Sequence, residues 1–206
     1  MSVRVIASGC LALSMLLSGC DEAGTRVGTL ALADPAGAAK DAPDREAIIK
    51  RGEYLVTVAA CSDCHTPLKM GPNGPEPDMT RYMSGHPQGL TLPPTPPPPQ
   101  PWIGYLSSTN TAFAGPWGVT YAANLTPDRQ TGLGIWTEQM FITAIREGKH
   151  MGVARPILPP MPWQQYGRMT DEDLRAIFAY LQSLPPIVNE VPEHEPPGGR
   201  EKHDYE

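Results

Sequence analysis

The chain has 206 residues, enough for one domain with appendages. Its 40% hydrophobic content supports one core, and 25 prolines with 20 glycines point to a loop-rich build rather than to disorder throughout. With 22 acidic residues against 16 Lys and Arg, the net charge is −6, which argues against nucleic acid and against electrostatic binding to anionic lipid. It favours a basic or mixed-charge protein partner.

The chain opens on a processing segment. Arg4 forms a short positive region, and Val5 to Leu17 is apolar but too short to span a bilayer. The segment ends in Leu17-Ser18-Gly19-Cys20, which resembles the lipobox of bacterial lipoproteins. That resemblance implies a signal peptide over 1–19 and lipidation at Cys20. An ordinary signal peptide cleaved nearby is the alternative, and Cys10 has too little apolar chain before it to compete. Asp21, just after the cysteine, implies retention at the inner membrane in lipoproteins of this kind. Loss of Arg4 with the segment makes the mature charge more negative by one. The Ala-, Gly- and Asp-rich stretch 20–43 reads as a flexible tether, with a reach on the order of 26 Å.

Asp44 is an N-cap candidate for a helix through REAIIKRGEYLVTVAA, running directly into Cys61. Ile48, Ile49, Leu55 and Val56 lie near helical spacing, and Gly52 weakens the pattern. From Pro67 to Pro116 periodicity is weak and turn residues are frequent. PPTPPPPQP at 93–101 predicts polyproline II, read as a stiff surface spacer rather than a docking strip. A second helix follows in WTEQMFITAIREG, with Thr137 as N-cap, Met140, Phe141, Ala144 and Ile145 on one side, and Gly148 ending it. The cleanest helix is TDEDLRAIFAYLQSLPP. Thr170 with Asp173 resembles a capping box, and Leu174, Ile177, Phe178, Leu181 and Leu184 form the apolar stripe. Residues 187–206 are poor in apolar groups and predict a disordered tail.

The chemistry concentrates in Cys61-Ser62-Asp63-Cys64-His65. Cys10 leaves with the signal and Cys20 carries lipid, so these are the two cysteines of the folded part. A structural zinc site needs four ligands, and no second cysteine pair exists; distant His86 or His150 would have to join. A thioredoxin-like redox pair belongs after a strand in a βαβ unit, whereas this pair follows a helix. A plain disulfide suits an exported protein but leaves His65 unexplained. Cys-x-x-Cys-His is the c-type haem attachment pattern, and it uses every position. Two thiols add to the two vinyl groups, and the next histidine becomes the axial ligand. One such motif limits the chain to one covalent haem c.

The sequence resembles the monohaem class I c-type cytochromes of bacterial respiratory chains over 44–186. The resemblance rests on GEYLVTVAACSDCHTP, YAANLTPDRQTGLGIWT, PPMPW and MTDEDLRAIFAYLQSLPP. These look like the cytochrome c domains that serve alcohol, aldehyde or sugar-acid dehydrogenases. The Pro-rich insertion between Pro67 and Pro116 departs from their shorter pattern. The resemblance implies an all-α fold, with N- and C-terminal helices crossing and long loops round the haem.

Met161 is the expected sixth ligand. It lies in a loop between Pro160 and Pro162, whose fixed φ angles restrain the thioether, and the resemblance puts the distal methionine there. Met151 is the runner-up, with His150 or an open site behind it. Other methionines, such as Met140 and Met169, read as structural. The resemblance also implies Asn124 and Trp136 near the haem or its propionates. The competing readings are a turn residue for Asn124 and a core aromatic for Trp136. Arg51 and Arg146 read as solvated helix faces before propionate partners, and Tyr54, Trp117 and Trp163 as candidates to pack on the macrocycle.

His/Met ligation raises the reduction potential and leaves no substrate position at iron. The expected function is therefore one-electron transfer without catalysis, between a redox protein donor and acceptor such as a dehydrogenase and a terminal oxidase. The expected place is the periplasmic face of the inner membrane, held by the lipid at Cys20, with the outer membrane or free periplasm as alternatives. A dedicated cytochrome subunit of a dehydrogenase complex is the second reading. A haem sensor or peroxidase-like protein with an open sixth site is the third.

Overall fold

The computed structural model describes residues 44–198 apart from 96, 97 and 99. The expected signal peptide, Cys20 and tether through 43 lie outside the described residues, as does the end of the expected tail.

Helix α1 spans Arg45–Val58. Asp44 caps it, accepting from the Glu46 N–H at 3.2 Å. The chain does not run on as one helix into Cys61. Ala60 takes a left-handed conformation with φ 55°, and a new short helix, α2, spans Cys61–His65. Helix α3 spans Glu138–Glu147, and a short α4 spans Trp163–Tyr166. Helix α5 spans Asp171–Ser183.

The predicted caps form. Thr137 accepts from Met140 N–H and Thr170 from Asp173 N–H, each at 3.2 Å. Gly148 closes α3 with φ 63°. The capping box at Thr170 is only half made, because the Asp173 carboxylate takes Arg51 on α1 instead, at 2.9 and 3.0 Å.

The core gathers Leu55 and Val56 of α1, Phe141, Ile142 and Ile145 of α3, and Leu174, Ile177, Phe178 and Leu181 of α5. Phe141 and Phe178 meet with ring centroids 5.4 Å apart. Helices α1 and α5 cross at Gly52. A Cβ there would lie 1.9 Å from the Ala176 carbonyl oxygen. The glycine that weakens the helical pattern therefore allows the closest approach of the two helices.

The expected all-α fold is corrected by two antiparallel sheets. Strands β1 (Leu68–Gly71) and β2 (Gly74–Pro77) form a hairpin pairing Gly71 with Gly74 across Pro72-Asn73. Strands β3 (Tyr105–Leu106), β4 (Ala112–Gly115) and β5 (Gly118–Tyr121) form the second sheet, in that order. All of them lie in or just beyond the segment read as weakly periodic. Strands of two to four residues are too short to print a period-2 pattern against so many turn residues.

The early part of the expected disordered tail is ordered. Glu195 pairs with Val119 of β5 at 2.8 and 2.9 Å. Asn189 is 1% exposed, and its side chain donates to the carbonyls of Ser84 at 2.7 Å and His86 at 2.9 Å. Polar side chains, not apolar ones, dock this segment, so low hydrophobicity misreads it.

His86 is buried beside this tail. Its Nε2 lies 3.1 Å from the Leu90 carbonyl and its Nδ1 2.9 Å from Thr111 Oγ1. The carbonyl requires the proton on Nε2, which leaves Nδ1 to accept from the threonine. Burial pulls the His86 pKa below the ordinary 6.5, partly opposed by the Leu90 carbonyl. The unfolded chain then binds a proton that the native one resists. The stability from this group is present above about pH 6.5 and lost as pH falls below it.

Two outcomes follow for denaturant unfolding of the purified protein. Gly52→Ala should cost about 1–3 kcal/mol through overpacking, and unchanged stability would refute the tight crossing. His86→Gln should lessen the loss of stability between about pH 7 and 5 relative to wild type. An identical pH slope in both proteins would show that His86 does not contribute.

Candidate haem-binding site

The motif Cys61-Ser62-Asp63-Cys64-His65 forms the whole of α2. Helical geometry sets residues three apart on one face, so Cys61 and Cys64 share a side. Both thiols are free. Burial is the main cause raising both pKa values, taking Cys61 to about 11, with Asp63 adding to each. Both are therefore protonated near neutral pH. Among the described residues, no three His, Cys, Asp or Glu gather as a metal cluster.

His65 is 8% exposed. Its Nδ1 lies 2.8 Å from the Ala123 carbonyl oxygen. A carbonyl only accepts, so Nδ1 carries the proton and Nε2 keeps the free lone pair. Burial lowers the His65 pKa, opposed by this carbonyl, so the neutral ring is favoured.

The segment around His65 is laced from several sides. Gly85 N–H donates to the His65 carbonyl at 2.8 Å. Met83 N–H donates to Thr66 Oγ1 at 3.0 Å, and Leu125 N–H to the Met83 carbonyl at 2.8 Å. Gly85 has φ 76°, and a Cβ there would lie 2.6 Å from the Ala123 carbonyl oxygen. Only glycine lets these two strands of backbone approach so closely.

Met161 is half-buried against the same core as Cys61 and Trp136. Its loop is held at both ends. Thr120 Oγ1 donates to the Pro159 carbonyl at 2.7 Å. Tyr166 on α4 donates its hydroxyl to the Ala59 carbonyl at 2.8 Å, two residues before Cys61. The Tyr166 bond brings the methionine loop to the start of the cysteine motif. No local pattern singles Tyr166 out in the sequence.

The remaining candidates separate. Asn124 uses its polar atoms within the protein: Oδ1 accepts from Thr126 N–H and Oγ1, and Nδ2 donates to Ile187 O at 2.8 Å and Thr131 Oγ1 at 3.1 Å. It forms a turn next to Ala123 and ties it to the tail. Trp136 meets the His150 ring edge-on at 5.0 Å against the core. Arg51 is taken by Asp173, and Arg146 by Asp171 at 2.6 Å and the Gly167 carbonyl. Tyr54 is exposed beside Arg51. Trp117 sits in the β4–β5 hairpin, donating to Phe113 O, and Trp163 lies on Gly148. Met151 has φ 54° in the turn after α3.

Two surface hollows, of about 420 and 310 Å³, include none of Cys61, Cys64, His65 or Met161. Among the described residues, no helix is long and apolar enough to cross a membrane.

Tyr166→Phe should lower stability by about 1 kcal/mol in denaturant unfolding, the net worth of one hydrogen bond. No loss would remove Tyr166 as the tie between the loop and the motif.

No protein-family model matches the chain. It is 30% identical over 170 residues to the cytochrome c subunit of a quinone alcohol dehydrogenase from Gluconobacter oxydans, covering 81% of this chain and 28% of that protein. It is 30% identical over 166 residues to the gluconate 2-dehydrogenase cytochrome c subunit of Pantoea cypripedii, covering 79% and 28%. It is 30% identical over 135 residues to the fructose dehydrogenase cytochrome subunit of Gluconobacter japonicus, covering 66% and 21%. The chain thus spans about a quarter of the length of these curated relatives. The similarity to cytochrome subunits of dehydrogenases supports a domain of the cytochrome c type in this chain.

Proposed function

We propose that this chain is a one-electron carrier with a single covalent haem c, which accepts electrons from a dehydrogenase. The observation that carries the reading is the state of the motif: two free thiols one helical turn apart, followed by a buried imidazole whose Nδ1 is already bonded. Cys61 and Cys64 would hold the haem through two thioether bonds, each formed by adding S–H across one vinyl C=C with no electron gained or lost.

His65 would hold the iron through Nε2, and the Ala123 carbonyl on its other nitrogen fixes the ring plane and makes the imidazole a stronger donor. Met161 would supply the second ligand through its thioether. A soft thioether favours Fe(II), which raises the potential over that of harder ligands. The bound haem supplies an iron that cycles between Fe(III) and Fe(II). With His65 and Met161 both holding the iron, no position would remain for substrate, and the chain would carry electrons without making bonds. The two ties of the Met161 loop support this reading over a sensor or peroxidase with an open site. Asn124 acts as a positioning residue for the Ala123 carbonyl, and Trp136 as a core aromatic beside the site.

The names of the relatives support a dehydrogenase as the electron donor and a cytochrome subunit within such a complex as the form this chain takes. A terminal oxidase, or a carrier leading to one, receives the electrons. Cys20 carries lipid and holds the chain at the periplasmic face of the inner membrane. The resemblance to class I cytochromes extends over 44–186.

The test is expression in cells competent for haem c assembly. Haem should stay on the chain through acid–acetone extraction, at one per chain. Cys61→Ala with Cys64→Ala should release it, and free haem from the wild type would defeat the proposal. Met161→Ala should lower the midpoint potential and let carbon monoxide bind the ferrous form. An unchanged potential and spectrum would move the ligand role to another residue.

A further inference from the structure

The loop that carries Met161 is short of backbone donors. Pro159, Pro160 and Pro162 have no N–H, so between 159 and 162 only Met161 has one. A backbone ladder cannot hold such a stretch, and its carbonyls are what a neighbour can grip. The Pro162 carbonyl is taken by α4, where it accepts from Gln165 N–H at 2.9 Å. The Pro159 carbonyl, two residues before Met161, accepts from Thr120 Oγ1 at 2.7 Å. Among the described residues, this is the one hydrogen bond that reaches 158–161.

The threonine hydroxyl has one proton to give. The Phe113 carbonyl lies 3.3 Å away and Pro159 lies closer, so the proton goes to Pro159. Thr120 is buried, which shields that bond from water. Its strand is a firm support. β5 pairs with β4 on one edge, with Thr120 opposite Phe113. On the other edge Val119 exchanges both backbone hydrogen bonds with Glu195. Three residues beyond Thr120, the same chain presents the Ala123 carbonyl to His65 Nδ1. A valine would fill the same space in β5 and lack the donor. The hydroxyl is therefore the part of Thr120 that acts on the loop.

We propose that Thr120 is a positioning residue for Met161, whose hydroxyl latches the loop and sets how readily the thioether leaves the iron. This rests on the haem c reading with Met161 as the second ligand. The bond to Pro159 exists only while the loop lies against β5. Prolines at 160 and 162 restrict the chain on both sides of Met161, so a displaced Met161 draws Pro159 with it. The latch favours the closed loop over the open one by about fivefold, the factor that the net worth of one hydrogen bond sets.

The test uses purified ferric holoprotein whose covalent haem content has been verified. Added imidazole competes with the methionine for the iron, and loss of the methionine-to-iron charge-transfer band reports the exchange. Thr120→Val keeps the branched shape and removes the donor. It should bind imidazole about fivefold more tightly than wild type. Thr120→Ser keeps the hydroxyl and should match wild type. A role confined to packing would lower unfolding stability in Thr120→Val and leave the imidazole affinity unchanged, and that result overturns the proposal. An equal rise in Thr120→Ser and Thr120→Val overturns it too. If Thr120→Val yields no holoprotein, Thr120→Ala takes its place with the same expected rise and the same overturning result. A charge-transfer band that survives in Met161→Ala would sink the Met161 reading. Failure of the wild type to hold haem covalently would sink the haem c reading. Both are distinct from an unchanged affinity in Thr120→Val.

Discussion

The hydrogen bond from His65 Nδ1 to the Ala123 carbonyl organises the rest of the site. It joins the cysteine motif on α2 to the chain leaving β5, far away in sequence. It also decides which imidazole nitrogen is free, namely Nε2. The carbonyl stays in place because its neighbours do. Asn124 closes a turn on Thr126 and holds Ile187, while Gly85 allows backbone to pass within van der Waals range of Ala123. Asn189 then ties this region to Ser84 and His86. A soft, flexible loop could not hold one imidazole orientation; a loop with its polar groups satisfied by side chains can.

The helices provide the frame and the insertion provides the wrapping. The close crossing at Gly52 packs α1 against α5, and the left-handed Ala60 redirects the chain into α2. The two hairpins within and beyond the expected insertion do not form a separate layer. They serve as supports: the Leu68 N–H bonds Thr109, Thr120 of β5 holds Pro159, and the tail pairs with Val119. The strands thus reach both His65, through Ala123, and the Met161 loop, through Thr120. The same β5 strand and its exit couple the two places where axial ligands are expected.

What the sequence made legible is what local physics encodes. Capping side chains at Asp44, Thr137 and Thr170 form as read, and the α5 stripe from Leu174 to Leu181 lies in the core. The cysteine–histidine motif is local, and its five residues together form α2. The sheets were missed because four-residue strands between glycines and prolines carry too little alternation. The tail was missed because it docks by the amide of Asn189 and the backbone of Glu195, and composition counts only apolar groups. Tyr166 was missed for a third reason. It acts through a single long-range contact, which leaves no mark on its neighbours in sequence. Gly52 shows the reverse error, where a helix-weakening residue is the one the packing requires.

The central claim is that one iron is held between His65 and Met161. Proton NMR of the reduced holoprotein tests it most directly. A methionine methyl bound to haem iron lies over the ring current and resonates far upfield of all other protein signals. The account predicts one such methyl resonance, lost in Met161→Ala and retained in Met151→Ala. An upfield methionine methyl that survives in Met161→Ala, or none in the wild type, would contradict it.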